Sequence, residues 1–278
     1  MATAPAAAAR EFAWTESDFQ RVRSLIYQRA GISLHEGKHA MVYSRLSRRL
    51  RETGHSSFHD YLGWLESADG SGGTEWQEFV NALTTNLTAF FREQHHFEIL
   101  AKHLAARPGT PWRVWCNAAS TGEEPYSIVM TAQEALGAQA SFKLIASDID
   151  SKVLAQAERG IYRLDALKGL SPERQQRFFL RGKQTNAGLV RVKPELRRHI
   201  DFLSVNLIRD DWPFKEPFDV VFCRNVMIYF DAATQRRVLE RIHRVMKPGG
   251  MLFVGHAENF SESRDLFTLR GKTVYERC

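Results

Sequence analysis

The sequence predicts an α/β protein: a parallel sheet covered by helices, preceded by an all-helical N-terminal domain and interrupted by a small antiparallel β insertion. Three observations predict it. Over residues 11–85 apolar side chains recur at helical spacing. From about residue 110, short apolar runs alternate with amphipathic stretches, as in a parallel sheet with crossover helices. Between residues 160 and 205 that alternation lapses into short segments of alternating polarity.

Residues 1–10 are Ala-rich and read as a disordered tail; they lack the basic region and apolar core of a signal peptide. Phe19, Val22, Leu25 and Ile26 form one apolar face and predict a helix over 16–30, ended by Gly31. A second helix over 38–52 carries Val42, Leu46 and Leu50, with Gly54 after it. Shorter helices follow over 58–67 and 76–83, joined by the flexible turn Gly70-Ser71-Gly72-Gly73. Residues 86–110 read as a linker helix leading into the sheet domain, 111–278. There, strands over 113–119, 142–147, 218–223 and 251–255 alternate with helices over 123–136, 151–159 and 232–246. The last helix is ended by Lys247-Pro248-Gly249-Gly250. Segments 267–269 and 273–276, joined by Arg270-Gly271-Lys272, read as a closing hairpin. The insertion, 178–203, contains Leu189-Val190-Arg191-Val192 and His199-Ile200-Asp201-Phe202, and its turn runs from Gly182 to Gly188.

With 278 residues, 44% hydrophobic and 25% charged, the chain reads as a soluble globular protein. No apolar run approaches the ~20 residues that span a bilayer. Cys116, Cys223 and Cys278 are scattered and include no CxxC, which indicates neither a disulfide framework nor a zinc site and suits a reducing, cytoplasmic location. The formal charge of +6 favours acidic partners without naming nucleic acid. On the second helix, Lys38, Arg45, Arg48 and Arg49 gather opposite the apolar stripe, and no acid lies between residues 38 and 51. Such a run is either a solvated face or a docking surface for an acidic helix. It lacks the series of interleaved aromatic residues expected of a nucleic-acid groove. Nothing in the sequence demands more than a monomer.

The most informative run is Val114-Trp115-Cys116-Asn117-Ala118-Ala119-Ser120-Thr121-Gly122-Glu123-Glu124-Pro125. An apolar strand breaks into small residues and then starts a helix, which is how a nucleotide-like cofactor is held beside a first strand. Two acids in the first helical turn suit the helix dipole and a cationic cofactor, and they repel a pyrophosphate. That points away from NAD and toward S-adenosylmethionine. Asp148, at the end of the second strand, stands where ribose hydroxyls are commonly received; it or Asp150 also suits the cap of the next helix. Arg224, Asn225 and Tyr229 follow the strand 218–223 and face the ligand crevice of such a sheet, or order the loop before Asp231. Asn86, Thr88 and Arg92 precede the sheet and, taken alone, are a cap and a surface charge.

Five blocks in order resemble the chemoreceptor glutamate methyltransferases, the CheR family. They are Asn86-Leu87-Thr88-Ala89-Phe90-Phe91-Arg92-Glu93, Ala119-Ser120-Thr121-Gly122-Glu123-Glu124-Pro125-Tyr126-Ser127, Ala146-Ser147-Asp148-Ile149-Asp150, Phe222-Cys223-Arg224-Asn225-Val226-Met227-Ile228-Tyr229-Phe230 and Gly255-His256-Ala257-Glu258-Asn259. The resemblance covers nearly all of the chain after the tail. It implies a helical receptor-docking domain, a Rossmann-like S-adenosylmethionine-dependent methyltransferase domain and an inserted β-subdomain. It implies methyl transfer to glutamate side chains of transmembrane chemoreceptors, with S-adenosylhomocysteine as product. By that resemblance Asn86, Thr88, Arg92, Glu123, Asp148, Asn206, Leu207, Arg224 and Asn225 surround the cofactor. The basic helix meets the receptor, whose tail peptide adds to the β insertion in some members. The insertion turn has glycine at its two ends only, and Ala257 stands where the family usually has serine.

A glutamate carboxylate, with a reference pKa near ~4.3, is ionised at neutral pH and needs no general base. The expectation is therefore positioning without a triad or metal, with Arg92 orienting the carboxylate and Tyr229 shaping the pocket. His95, His96 and His256 are not expected to carry protons. Two other readings stand beside this one: a methyltransferase of another substrate, and a non-catalytic cofactor-binding adaptor. The Asn-Pro-Pro-Tyr type sequence of many amino-group methylases is absent.

Overall fold

The computed structural model describes residues 10–67, 73–137 and 141–278, apart from the side chain at position 261. Positions 1–9 of the expected tail and 70–72 of the expected glycine-rich turn lie outside the described residues. The chain divides into two compact units, residues 1–84 and 85–278.

The first unit contains four helices among its described residues: α1 (Glu16–Ala30), α2 (His39–Thr53), α3 (Phe58–Glu66) and α4 (Glu75–Leu83). Their ends follow from local chemistry. The Thr15 hydroxyl accepts from the Asp18 N–H while the Asp18 carboxylate accepts from the Thr15 N–H, a reciprocal cap at the start of α1. Ser57 caps α3 in the same sense. Gly31 and Gly54 end α1 and α2 in the left-handed conformation. The apolar stripes that predict the helices are the ones buried: Phe19, Val22 and Ile26 on α1, and Val42, Leu46 and Leu50 on α2. Residues Glu36–Lys38 form a 3-10 turn, so α2 begins one residue later than the spacing predicts.

In the second unit, helix α5 (His95–Ala105) precedes strand β1 (Trp112–Cys116). Then come α6 (Glu123–Leu136), β2 (Phe142–Asp148), α7 (Ser151–Arg159), β3 (Ile161–Arg163), α8 (Pro172–Phe178), β4 (Phe179–Arg181) and β5 (Leu189–Val192). After α9 (Pro194–Arg197) the chain continues through β6 (Ile200–Ser204), β7 (Phe218–Cys223), α10 (Ala232–Val245), β8 (Met246–Val254), β9 (Phe267–Gly271) and β10 (Val274–Arg277). Seven strands form a sheet in the order β6-β2-β1-β7-β8-β10-β9, parallel from β6 to β8 and antiparallel at β10 and β9. Both faces are covered, as parallel strands require. Val114, Cys116, Val220 and Phe222 join the cluster containing Phe97, Leu100 and Ile128 of α5 and α6. Their neighbours Trp115, Val221 and Cys223 join Val238, Leu239 and Ile242 of α10 on the other face.

Four expectations need correction. The segment Ile200–Ser204 does not belong to the small sheet: it is the parallel edge of the main one, with Leu144 opposite Ile200. An edge strand has one wet face, so its alternating polarity imitates an insertion strand. The small antiparallel sheet is instead β3-β5-β4, and Ile161–Arg163 was too short to stand out. Strand β1 stops at Cys116, three residues early, because Ser120 takes a left-handed φ of 48° and turns the chain toward α6. Within 86–110 the helix is confined to His95–Ala105, and Lys247 to Gly250 are part of β8, with a register shift against β7.

Candidate functional site

Strand β1 lies between β2 and β7, and the order of connections reverses there. In an open parallel sheet a ligand crevice forms outside the carboxyl ends of the strands at such a point. The loops after β1, β2 and β7 and the segment 86–93 carry most of the candidate residues. Four of the seven positive-φ non-glycine residues described, Phe91, Glu93, Ser120 and Asn225, fall in these segments. Concentration of left-handed backbone in one place is a mark of functional loops.

The two acids that open α6 divide their roles. Glu124 is buried and ion-paired with Arg224, and its other oxygen receives the Cys116 thiol at 3.3 Å. Among the described residues no arginine or lysine pairs with Glu123; it accepts the Thr121 hydroxyl at 2.6 Å, and burial pushes its pKa up. The sequence suggested both acids for a cationic cofactor; Glu124 is instead answered by Arg224. Gly122, at φ 100°, has no room for a side chain, since a Cβ would lie 2.7 Å from the Tyr162 hydroxyl and 2.8 Å from Ala157 Cβ. Just past the end of β1, buried Asn117 hydrogen-bonds with the Cys223 thiol, and among the described residues its amide has no nitrogen or oxygen partner.

Asp148 and Asp150 also separate. The Asp150 carboxylate caps α7 through the N–H groups of Lys152 and Val153 and accepts the Asn86 amide at 2.7 Å. Asp148 has no cap to make. Its two oxygens accept the N–H groups of Ser120 at 2.8 Å and Asp150 at 2.9 Å, and burial pushes its pKa up to about 6. Asn86 acts as a tie, because its carbonyl also accepts the Ser120 hydroxyl at 3.0 Å. Thr88 is half-buried two residues on.

Arg224 is the hub of this region. Its fully buried side chain pairs with Glu124 and Glu93 and donates to the Arg92 carbonyl at 2.6 Å. The sequence placed it beside the cofactor; the structure engages its guanidinium with three groups of the protein. Arg92 is half-buried, its own guanidinium donating to the Leu87 carbonyl at 2.8 Å. Glu93, His95 and His96 are close enough to share a cation, yet Arg224 already sets its charge 3.4 Å from that Glu93 carboxylate. Burial and Arg224 also hold His96 down to about 4, so its ring is neutral at pH 7.

Asn225 follows with φ 58° and leads into the 3-10 turn Met227–Tyr229, where Tyr229 is half-buried. Past the edge strand β6, Asn206 Oδ1 accepts the Ile208 N–H at 3.2 Å, and Leu207 is buried beside it. Sequence reasoning gave no role to Glu258, whose carboxylate accepts the N–H groups of Asn225, Val226, Met227 and Gly255. The available signal was an acid just beyond the end of a parallel strand, as at Asp148.

The four basic residues expected to dock a receptor, Lys38, Arg45, Arg48 and Arg49, are unlike one another. Arg45 donates to the carbonyls of Leu83 at 3.1 Å and Thr84 at 2.6 Å, closing the end of α4. Half-buried Arg49 pairs with buried Glu75, which also accepts the Tyr61 hydroxyl at 2.7 Å. Lys38 is half-buried, and Arg48 is 78% exposed with Glu52 beside it.

Comparison with known proteins places these features in a family. Residues 86–276 match the model of the CheR methyltransferase SAM binding domain, and residues 17–84 that of the CheR methyltransferase all-alpha domain. The chain is 57% identical to a chemotaxis protein methyltransferase of Klebsiella aerogenes over 263 residues, 94% of this chain and 89% of that one. It is 54% identical to one of Escherichia coli, covering 95% and 91% of the two chains. Chemotaxis protein methyltransferase 2 of Pseudomonas aeruginosa is 50% identical, with 96% and 95% covered.

Proposed function

The chain belongs to the CheR methyltransferase family and is an S-adenosylmethionine-dependent methyltransferase of chemotaxis, and we propose that it esterifies glutamate side chains of transmembrane chemoreceptors. The observation that carries the cofactor assignment is Asp148. Its carboxylate is held by backbone N–H groups, those of Ser120 and Asp150 among them, and among the described residues no lysine, arginine or histidine pairs with it, which leaves its charge for ribose hydroxyls. The Asn117 amide and Glu123, for which no arginine or lysine partner is seen among the described residues, suit the same group, one as a polar contact and one as an acid beside positive charge.

When bound, S-adenosylmethionine supplies an electrophilic methyl group whose sulfonium departs as a neutral thioether. The nucleophile is already ionised, so the chain's task is to place it and to exclude water. Arg92 orients the carboxylate, held through its carbonyl by Arg224, and Tyr229 shapes the pocket wall. Thr88, Asn206, Leu207 and Asn225 complete the cofactor's surroundings, with Asn86 and Arg224 holding the segment that carries Arg92. Lys38, in the turn before α2, and Arg48, on α2, present the docking charge, while Arg45 and Arg49 keep the fold of that unit. A receptor tail adds to the edge strand β4, where Leu180 is exposed, as β-augmentation. The enzyme works as a cytoplasmic monomer; among the described residues no helix is long and apolar enough to cross a membrane.

Methyl-labelled S-adenosylmethionine, incubated with the protein and membranes carrying chemoreceptors, tests the reaction. Label released as methanol by mild base identifies a carboxyl methyl ester. Base-stable label would overturn the glutamate assignment.

A further inference from the structure

We propose that Glu258 is a positioning residue of the cofactor site, locking the loop after β7 onto the end of β8 so that Asn225 stays in its left-handed conformation. The inference rests on the reading of Asn225 as a cofactor-site residue. One carboxylate gathers four backbone donors from two strand ends. Glu258 Oε2 accepts Asn225 N–H at 2.9 Å and Gly255 N–H at 2.5 Å; Oε1 accepts Val226 N–H at 3.0 Å and Met227 N–H at 2.8 Å. The Glu258 N–H in turn donates to the Gly255 carbonyl at 2.9 Å.

Three features show that the lock is specific to a carboxylate. Glu258 is 5% exposed, and among the described residues no lysine, arginine or histidine pairs with it. A buried charge without a counter-ion is costly, and the four N–H groups offset part of that cost while burial still pushes the Glu258 pKa up. A glutamine could not replace it, because one amide oxygen would remain as acceptor while the amide nitrogen faced two N–H donors. The fit is also tight. A Cβ on Gly255 would lie 2.3 Å from Asn225 Nδ2 and 2.8 Å from Glu258 Oε2. Asn225, at φ 58°, is among the few residue types that adopt this backbone readily, and its N–H points into the carboxylate.

The test is a double-variant cycle read by calorimetric binding of S-adenosylhomocysteine to the full chain. Glu258→Gln weakens binding about tenfold, the scale of losing charge-assisted hydrogen bonds. Asn225→Ala weakens it as well, and the double variant binds no more weakly than the worse single one. Losses that multiply, or a Glu258→Gln protein that binds like wild type, overturn the proposal; a purely global weakening of the fold gives the multiplicative result. An unchanged constant in Asn225→Ala removes Asn225 from the site and the proposal with it. Should Glu258→Gln fail to fold, Glu258→Asp carries the same cycle, since it keeps the charge and withdraws it by one methylene. A wild-type protein that binds S-adenosylhomocysteine but esterifies no receptor strikes the substrate reading alone.

Discussion

The C-terminal rim of the parallel sheet and the basic helix α2 are both dense in charge, and they differ in what answers that charge. At the rim, Asp148 and Glu258 are buried carboxylates whose partners are backbone N–H groups. Backbone donors fix a carboxylate in place without cancelling its charge, so it remains available to a ligand. On α2, Arg49 meets Glu75 and Arg45 meets the carbonyls that end α4, so much of that charge is answered inside the same unit. The difference teaches that a cluster of like charge in a sequence does not mark a partner surface; the residues left without an internal answer do. By that measure Asp148 stands apart from Arg49 and Arg224, while Arg48, paired with Glu52 yet 78% exposed, lies between them.

The largest expected effect belongs to the answered charges. Arg224→Ala leaves buried Glu124 and half-buried Glu93 without this cation and lowers stability by about 3–5 kcal/mol in urea unfolding. A loss under about 1 kcal/mol would show that the hub is wetter than its burial implies. Arg49→Ala should cost on the order of 2–3 kcal/mol by stranding Glu75, with S-adenosylhomocysteine affinity per folded molecule unchanged. A test of α2 as a docking surface therefore removes Arg48 alone and leaves Arg45 and Arg49 in place.

Asp148 sharpens the other side of the comparison. Its pKa is pushed up to about 6, so below that pH the acid is protonated in the free protein. If the carboxylate receives ribose hydroxyls, S-adenosylhomocysteine affinity falls about tenfold per pH unit below that point, and Asp148→Asn binds weakly at every pH with this dependence gone. Stability moves oppositely: a carboxyl whose pKa is raised on folding makes the free protein more stable as pH falls from about 6 toward the ordinary aspartate range. A flat calorimetric profile in the wild type would remove Asp148 from the ribose role. The smallest effect is that of Arg48→Ala, within about 0.5 kcal/mol on stability. It should slow receptor esterification while S-adenosylmethionine binding stays unchanged; an unaltered rate would leave α2 a solvated face.

Much of this molecule is local and was legible. The cap at Thr15, the glycines after α1 and α2 and the apolar stripes between them depend on neighbours within a turn or two, and those predicted helices stand within two residues of the observed ones. Strand Phe218–Cys223, apolar throughout, was equally plain because it is buried on both faces. The small sheet was harder. Whether Ile200 pairs with the main sheet or the insertion depends on Leu144, distant in sequence, and alternating polarity is the same on either edge.

The sequence by itself determined the two-part architecture, the first-strand loop that turns into an acid-rich helix and the order of strand ends bearing Asp148 and Asn225. These rest on periodicity, turn chemistry and position along the chain. Tertiary structure alone decided which charges are answered: that Asp150 and not Asp148 caps α7, that Arg224 serves Glu124 and Glu93, and that Glu258 ties two strand ends together. A carboxylate's role follows from the donors that surround it, and those donors come from segments distant in sequence: Arg224 stands 100 residues from Glu124.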